Sequence, residues 1–287
     1  MRRIHIKKRS GGYRTIYKPS FKEKLILRTN LHIGRLPVPS VVGKALSELP
    51  AMHLSIDDIV SAKCSSSVHG FFPGRSPVTC AMPHIGKRFT LSMDLKDFFD
   101  SVNRNHIERF DQAYISDEAF LKFRKEEGAP RQGLPTSPAI ANLAAIPLDQ
   151  RIESWCHANQ CVYTRYADDI TVSGDDKDAL LALRDALHKD SGLPGITFKD
   201  KKTRLQWGGP DGTWTREVVG VGVNHERVLP LRTTRKRLRA AVHAAPNSNR
   251  TRGLKEWVSL KHPAPVDTEG MRSNYFKARA LYELTKP

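Results

Sequence analysis

The stretch Cys161-Val-Tyr-Thr-Arg-Tyr-Ala-Asp-Asp-Ile-Thr-Val-Ser173 decides the fold, because two arms rich in β-forming residues meet at Ala167, Asp168 and Asp169. A two-residue hairpin turn ordinarily favours Gly or Asn at such a point. Two adjacent carboxylates are costly unless a cation neutralises them, and Mg²⁺ is commonly held by one or two carboxylates together with substrate phosphates. The hairpin therefore predicts a candidate magnesium site at its tip, with a polar turn that faces water as the alternative.

A third carboxylate lies upstream, in Phe89-Thr-Leu-Ser-Met-Asp-Leu-Lys-Asp-Phe-Phe-Asp100. Apolar residues occupy every second position from Phe89 to Leu95 and alternate with small polar residues and Asp94. In a strand this alternation places the apolar set on one face and Asp94 on the other. Taken alone, the segment favours a solvent-facing Asp on a half-exposed strand. Asp94 becomes a candidate site residue only in combination with the hairpin that carries Asp168 and Asp169.

The charge of the chain is one-sided, with 47 Lys and Arg against 30 Asp and Glu and a net charge of +17. The surplus is concentrated at both ends: residues 1–30 carry ten bases and one acid, and residues 227–255 carry nine bases and no acid. Such runs favour a polyanionic partner and contact with phosphates.

Other compositional features exclude several classes of protein. No run of about 18 apolar residues exists and no apolar segment follows the basic N-terminus, so we expect neither a membrane span nor a secretory signal. The four cysteines lack a C-x-x-C pair, which argues against a zinc site or a disulfide framework and fits a reducing cytoplasm.

Hydrophobic periodicity predicts an α+β fold, because strands and helices are mixed without strict β-α-β alternation. The predicted strands are a hairpin over 6–18, a strand over 88–95, the hairpin over 161–173 and a strand over 217–224. The predicted helices cover 20–36, 55–62, 105–112, 137–157 and 177–189.

The order of these motifs resembles the palm of reverse transcriptases. Between Asp94 and the Tyr166-Ala-Asp-Asp169 tip lies Arg131-Gln-Gly-Leu-Pro-Thr-Ser-Pro138, which is similar to a loop of that family that leads into a helix. Further similarities are the fingers hairpin at 6–18, a palm segment at 197–205 and the primer-grip hairpin at 217–224.

The resemblance implies a right-hand polymerase fold with fingers, a palm of antiparallel sheet backed by helices, and a small helical thumb. Fingers and palm would occupy residues 1–225, with the fingers largely in 1–88. Residues 226–287 would form a basic thumb.

Among bacterial members, the chain most resembles retron reverse transcriptases. That family carries an Asn-Ala-x-x-His signature, of which Cys80-Ala-Met-Pro-His84 matches Ala and His but not Asn. Its Val-Thr-Gly signature is matched by Val218-Val-Gly220 at the ends only. Without the family, the first segment would be interpreted as a loop with a buried, hydrogen-bonded His84.

The family resemblance implies specific roles for the acids. Asp94 and Asp168 would be the bridging ligands of two Mg²⁺ ions, Asp169 a third acid, and the carbonyl of Leu95 a further ligand. Two such ions stabilise the attacking and leaving oxygens when a primer hydroxyl attacks an α-phosphate.

It also implies a nucleotide site. Phe99 occupies the steric-gate position that selects deoxynucleotides, with core packing as the alternative. Gln132 and Gly133 match positions that contact the incoming nucleotide and the template.

Several cations match positions that would contact phosphate. Arg14 and either Lys7 or Lys8, of which we select Lys7, match cations of the fingers that hold the triphosphate. Lys202 would assist the leaving pyrophosphate or contact the template.

In the basic tail, four bases share one helical face and are predicted to contact RNA phosphates: Arg232, Arg235, Lys236 and Arg239.

The implied function is that of an RNA-directed DNA polymerase in the bacterial cytoplasm. It would use deoxynucleoside triphosphates to copy part of a structured non-coding RNA, which serves as template and primer, and so form an RNA–DNA hybrid. A companion effector and a role in defence against phage are implied as well. The alternatives are another defence-associated or group II intron-like reverse transcriptase, and a catalytically silent RNA-binding homologue.

Overall fold

The computed structural model describes residues 2–8, 11–21, 23–24, 27–28, 56–107, 130 and 132–260. The strands of these residues are β1 (Arg2–Lys7), β2 (Tyr13–Lys18), β3 (Phe89–Asp94), β4 (Val162–Tyr166), β5 (Asp169–Gly174), β6 (Arg204–Trp207), β7 (Arg216–Val218), β8 (Val221–Val223) and β9 (Val228–Pro230). The helices are α1 (Ile56–Lys63), α2 (Pro77–Ala81), α3 (Phe98–Ser101), α4 (Ser137–Ala144), α5 (Ile146–Ala158), α6 (Lys177–Lys189), α7 (Arg232–Ala244) and α8 (Asn249–Ser259). Single 3₁₀ turns cover Met82–His84, Arg104–His106 and Asp200–Lys202.

The described residues fall into two compact units. One lies within Met1–Cys64 and Asp97–Ile146, and the other within Ser65–Lys96 and Pro147–Val266. The expected division into fingers, palm and thumb at residues 88 and 225 follows other boundaries and remains a prediction.

The first unit contains the predicted hairpin near the N-terminus. β1 and β2 pair antiparallel from Arg2 opposite Lys18 to Lys7 opposite Tyr13, and the turn between them contains Gly11 with a φ of 89°. The helix predicted over 55–62 is confirmed as α1. The predicted 20–36 helix lies largely outside the described residues.

Two predicted helices of this region differ from the structure. The segment over 105–112 begins with a 3₁₀ turn at Arg104–His106, and residues 108–112 lie outside the described part of the chain. The single helix expected over 137–157 is two helices, because α4 ends at Ala144 and α5 begins at Ile146, directly before Pro147. Proline has no N–H to donate into the preceding turn, which explains the break.

The second unit is built on a four-stranded antiparallel sheet in the order β4-β5-β3-β6, which we call the palm sheet. Its apolar face is buried, with Leu91, Met93 and Val172 almost inaccessible to solvent. α6 packs against β3 and β5 on the sheet and buries its own leucines. Asp176 caps α6 by accepting hydrogen bonds from the N–H groups of residues 178 and 179. This confirms the predicted antiparallel sheet backed by helices.

The segment over 217–224, expected to be a strand, is a tight hairpin instead. β7 and β8 pair antiparallel around a turn at Val219 and Gly220, whose φ values are 47° and 77°. Positive φ at both central residues is the geometry of turns that match the twist of a hairpin. β9 completes this second, three-stranded sheet. The single strand expected over 217–224 is therefore wrong, and the hairpin that the resemblance implies at these residues is present.

Two antiparallel helices follow the small sheet. The buried hydroxyl of Thr251 in α8 donates to the carbonyls of Ala241 and Ala245, at 3.2 and 2.7 Å, and so joins α8 to the end of α7. Trp257 of α8 packs against the core around Val218 and Val221. Among the helices described, none is both long and apolar enough to cross a membrane.

Candidate active site

Three carboxylates meet at one edge of the palm sheet. Tyr166 pairs with Asp169 at the end of the β4–β5 hairpin, which leaves Ala167 and Asp168 as the turn. Asp94, the last residue of β3 and only 4% exposed, stands directly opposite Asp169 in the register. The predicted juxtaposition of Asp94 with Asp168 and Asp169 is therefore present.

The turn is held by a buried arginine that sequence reasoning missed. The guanidinium of Arg165, which is 0% exposed, donates from Nε and Nη2 to the two oxygens of Asp149, both at 2.7 Å. Its Nη1 donates to the carbonyl of Ala167 at 3.0 Å. The hydroxyl of Tyr163 donates to Asp149 at 2.5 Å. A helix-borne carboxylate on α5 thus orients a strand arginine, and that arginine fixes the backbone of the turn at Ala167 and Asp168.

A glycine allows a second segment to approach the turn closely. His69 N–H donates to the carbonyl of Arg165 at 2.7 Å, so residues 67–70 run beside β4. A Cβ atom on Gly70 would lie 2.2 Å from the amide nitrogen of Ala167. No side chain fits at that distance, so glycine is required where the chain passes the turn.

The electrostatics of the site reflect crowding of like charges. Partial burial, followed by the neighbouring carboxylates of Asp168 and Asp94, raises the pKa of Asp169 to about 6. Burial and the charge of Asp94 also raise the pKa of Asp168. Both shifts show that a further positive charge would stabilise the ionised site.

Two lysines supply positive charge in the structure. Lys199 Nζ pairs with one oxygen of Asp94 and Lys202 Nζ with the other. The hydrogen bond with Asp94 raises the pKa of Lys202, which therefore stays protonated. Lys202 was predicted to lie in the site, whereas Lys199 was missed. The detectable signal was its position three residues before Lys202 in the same basic segment.

The donor set fits a hard divalent cation. Carboxylate oxygens are the ligands that Mg²⁺ prefers, and the raised pKa values of Asp168 and Asp169 indicate charge that such an ion would neutralise. Within the described residues, however, no group of three or more His, Cys, Asp or Glu is already arranged to hold a metal ion. The oxygens of Asp94 face ammonium groups that an ion would displace.

The N–H of Leu95 donates to the carbonyl of Asp168 at 3.0 Å, but a ligand role for its own carbonyl remains a prediction.

The predicted nucleotide-binding residues other than Lys202 lie in the first unit. The carbonyl of Gln132 accepts from Tyr17 N–H at 2.8 Å, and a Cβ on Gly133 would lie 2.5 Å from the carbonyl oxygen of Tyr17. The Gln132-Gly133 loop is therefore packed against β2. Phe99 in α3 is half-buried, with its ring centroid 6.1 Å from that of Phe98.

The fingers cations are exposed on the hairpin. Arg14 stands opposite Ile6, and Lys7 stands opposite Tyr13. Because strand residues alternate between faces, Arg14 and Lys7 point to opposite faces. Lys8, the other candidate, forms an ion pair with Asp97 at 3.8 Å. Binding of a nucleotide by these residues remains a prediction.

The predicted RNA-binding bases line a groove between α7 and α8. Arg232, Arg235 and Arg239 border it together with the aliphatic Leu238 and Val258. Lys236 is exposed on the same helix but does not line the groove. The structure thus brings three of the four predicted bases together.

Comparisons with known proteins place this geometry in a family. A family model described as reverse transcriptase (RNA-dependent DNA polymerase) matches residues 6–225. The retron Mx65 reverse transcriptase of Myxococcus xanthus is 32% identical over 291 residues, covering 91% of this chain and 61% of the relative. The retron Ec86 reverse transcriptase of Escherichia coli is 31% identical over 197 residues, covering 67% and 60%. The chain spans about three fifths of the length of these two relatives.

The fold is also found among solved structures. Telomerase from Candida tropicalis, in complex with a TWJ fragment of telomeric RNA, matches with a TM-score of 0.50 at 14% identity, covering 99% of this chain and 54% of that chain. At this identity the match shows the fold alone, which is the right-hand polymerase fold that the motifs implied. With its family match, its retron relatives and its three juxtaposed acids, the chain belongs to the reverse transcriptase family.

Proposed function

We propose that the protein is an RNA-directed DNA polymerase whose catalytic acids are Asp94, Asp168 and Asp169. The observation that carries this proposal is the meeting of the three carboxylates at one edge of the palm sheet, in a chain of the reverse transcriptase family. The lysines beside Asp94 add the positive charge that a triphosphate requires.

The acids would hold two Mg²⁺ ions, with the Leu95 carbonyl as a further ligand. When bound, such ions stabilise the attacking and leaving oxygens of a nucleotidyl transfer. The chain's own contribution is orientation. Arg165 fixes the carbonyl of the catalytic turn, and Asp149 keeps Arg165 from turning away. The catalytic carboxylates are therefore held in place before substrate arrives.

The remaining residues act on the nucleotide. The ammonium group of Lys202 carries a proton that the leaving pyrophosphate can accept; contact with the template is the alternative role. Arg14, with Lys7 or Lys8, would neutralise the triphosphate. Phe99 would exclude a 2′-hydroxyl, and Gln132 and Gly133 would contact the base pair being formed.

At a finer level, we propose that the template and primer are a structured non-coding RNA and that the product is a retron-type RNA–DNA hybrid. The names of the relatives, retron Mx65 and Ec86 reverse transcriptases, support this, as does the charge of +17. A companion effector, a role in anti-phage defence and a bacterial cytoplasmic location belong to the same proposal. A retron RNA that copurifies with the protein should carry covalently attached DNA, which sequencing would detect.

The arginine groove of α7 and α8 is proposed as the wall that contacts the RNA backbone. Arg232, Arg235 and Arg239 offer forked donors that suit phosphate oxygens, and Leu238 and Val258 offer apolar surface for sugars.

Substitution of Asp168 by Asn tests the proposed function. The change removes a charge at nearly constant shape, so DNA synthesis on a primed RNA template should fall by several orders of magnitude, while RNA binding persists. Asp175→Asn is the matched control, because Asp175 follows the other end of β5 and accepts hydrogen bonds from Lys87 and the N–H of Arg88. Extension by Asp168→Asn within about tenfold of wild type would refute the proposal.

A further inference from the structure

A buried polar layer lies behind the catalytic acids on the same face of the palm sheet. Because side chains alternate along a strand, the residues two and four positions from Asp94 and Asp169 share their face. These facing pairs are small and polar: Ser92 with Thr171, and Thr90 with Ser173. Thr90 and Ser173 are fully buried, so their hydroxyl groups need partners within the protein.

His84 covers this layer and joins the two strands of the catalytic hairpin. Its ring is 0% exposed and lies 2.6 Å from the hydroxyl of Ser173 in β5 and 2.7 Å from that of Thr164 in β4. The Thr164 hydroxyl donates its proton to the carbonyl of Cys80 at 3.1 Å, so it accepts from His84 Nε2–H. His84 Nδ1 then accepts from Ser173. Burial, followed by the charge of Arg216, lowers the pKa of His84 to about 3, so the ring is neutral.

Arg216 extends the polar layer from Thr90 of β3 toward the β7–β8 hairpin. This first residue of β7 is 0% exposed, and its Nη1 donates to the Thr90 hydroxyl at 2.7 Å. Its Nη2 donates to the backbone carbonyl of His84 at 3.1 Å. Within the described part of the chain, no carboxylate forms a direct ion pair with Arg216; the charge of Asp175 acts on it from farther away, and its Nε is buried without a hydrogen-bond partner. A fully buried guanidinium without a directly paired carboxylate is costly, so packing alone does not account for an arginine here.

The position of Arg216 indicates which contacts its burial makes possible. Arg216 begins the β7–β8 hairpin. Two of its hydrogen bonds attach that hairpin to β3 and, through His84, to the strands of the catalytic turn, and a third, from Nη2 to the carbonyl of Asn224 at 3.5 Å, stays next to β8. A second attachment uses Gln206 of β6, whose side chain accepts from the N–H of Glu217 at 2.8 Å and donates to its carbonyl at 2.9 Å. The hairpin is thus registered against the palm sheet by directional bonds, which fix a distance and an orientation more sharply than apolar contact does.

We propose that Arg216 and His84 form a positioning lock that sets the place of the β7–β8 hairpin relative to the catalytic acids, and thereby the place of the primer end. The primer contact of this hairpin rests on the proposed function. The lock itself rests on the buried bonds of Arg216 and His84. Both residues are positioning residues, because neither reaches the reacting atoms directly.

Thr90 offers a matched pair of variants for the test. Thr90→Val keeps the shape of the side chain but removes the acceptor of Arg216 Nη1, whereas Thr90→Ser keeps the hydroxyl. Hydrogen exchange of the amides of residues 217–223 should become faster in Thr90→Val and stay as in wild type in Thr90→Ser. This readout reports the lock without any catalysis.

Primer extension supplies the second readout. In Thr90→Val, kcat for a matched primer should fall by about 10- to 100-fold, because a displacement of about 1 Å has an effect of this size. The KM for nucleotide and the affinity for primed RNA should stay within about threefold of wild type, and discrimination against a mismatched primer end should weaken. Arg216→Lys should show the same pattern, because a single, mobile ammonium nitrogen replaces the two guanidinium nitrogens that separately donate to Thr90 and to the His84 carbonyl.

The outcomes separate the lock from the proposed function. Unchanged amide exchange at residues 217–223 in both Thr90→Val and Arg216→Lys would overturn the lock, whatever the activity. Equal losses in Thr90→Ser and Thr90→Val would also overturn it, because the hydroxyl would then be irrelevant. Faster exchange with unchanged extension and unchanged primer discrimination would overturn the positioning role. Wild-type protein that makes no DNA would instead refute the proposed function, while amide exchange would still decide the lock.

Discussion

Removal of the carboxylate that holds Arg165 should cost the protein both stability and activity. Arg165 and Asp149 are 0% and 2% exposed, and two hydrogen bonds of 2.7 Å join them. Asp149→Asn keeps the shape but leaves the guanidinium buried without its counter-ion. Loss of one partner of a buried pair costs about 3–5 kcal/mol, so we expect the free energy of unfolding to fall by this amount.

Two further variants separate the effect on stability from the effect on the turn. Asp190→Asn removes the acid of the exposed pair with Arg151, whose atoms are 3.0 Å apart, and should lower the free energy of unfolding far less than Asp149→Asn does, because water and salt screen an exposed pair. The double variant Asp149→Leu with Arg165→Met replaces the buried pair by apolar side chains and should recover most of the stability. It should not recover activity, because the carbonyl of Ala167 still lacks its donor.

Urea denaturation and single-nucleotide extension on an RNA template measure the two effects. A loss below about 1 kcal/mol in Asp149→Asn would contradict the buried-charge argument. Wild-type extension by the double variant would show that the bond to the Ala167 carbonyl does not position the turn that carries Asp168.

Three further predictions concern selectivity, RNA binding and pH. Phe99→Val should admit ribonucleotides by removing a steric collision, and unchanged selectivity would mean that Phe99 only packs. Replacing Arg235, Lys236 and Arg239 together by neutral residues should weaken RNA affinity. The slope of the logarithm of affinity against the logarithm of salt concentration should become shallower by about 0.7–0.9 for each phosphate that the variant no longer neutralises. An unchanged slope would show that these bases only keep the protein soluble. The pKa of His84 is lowered to about 3 in the fold, so the unfolded chain binds one more proton between pH 6.5 and 3 and stability falls as the pH is lowered through this window. His84→Asn should therefore reduce the slope of unfolding free energy against pH by about 1.4 kcal/mol per unit, and an unaltered slope would show that His84 is not buried in its neutral form.

The palm was predictable from the sequence because its signals are local. Alternation with period two assigns Asp94 to the polar face of β3, and the Asp-Asp pair marks the turn between β4 and β5. The amphipathic leucines likewise predict α6, whose bounds agree with the expected 177–189; the cap at Asp176 is visible only in the structure.

The remaining features depend on contacts that no local pattern carries. Arg165 and Asp149 meet because the fold brings Asp149 of α5 to Tyr163 and Arg165 of β4, and no local pattern in either segment predicts this contact. Val219 adopts a φ of 47°, which β-branched residues rarely do, so residues 217–224 carry the signature of a strand and form a turn in the middle. The segment Cys80-Ala-Met-Pro-His84, interpreted from its residues alone as a loop, is the end of α2 followed by a 3₁₀ turn. His84 itself is buried and hydrogen-bonded, as these residues alone indicate.

RNA-directed DNA synthesis through Asp94, Asp168 and Asp169 can be tested by sequencing the DNA that the purified protein makes on a primed RNA of defined sequence. Wild type and Asp175→Asn should yield DNA complementary to that RNA, and Asp168→Asn should yield none while still binding the RNA. Products that do not follow the template, products built from ribonucleotides, or templated DNA from Asp168→Asn would contradict an RNA-directed DNA polymerase that acts through these three acids.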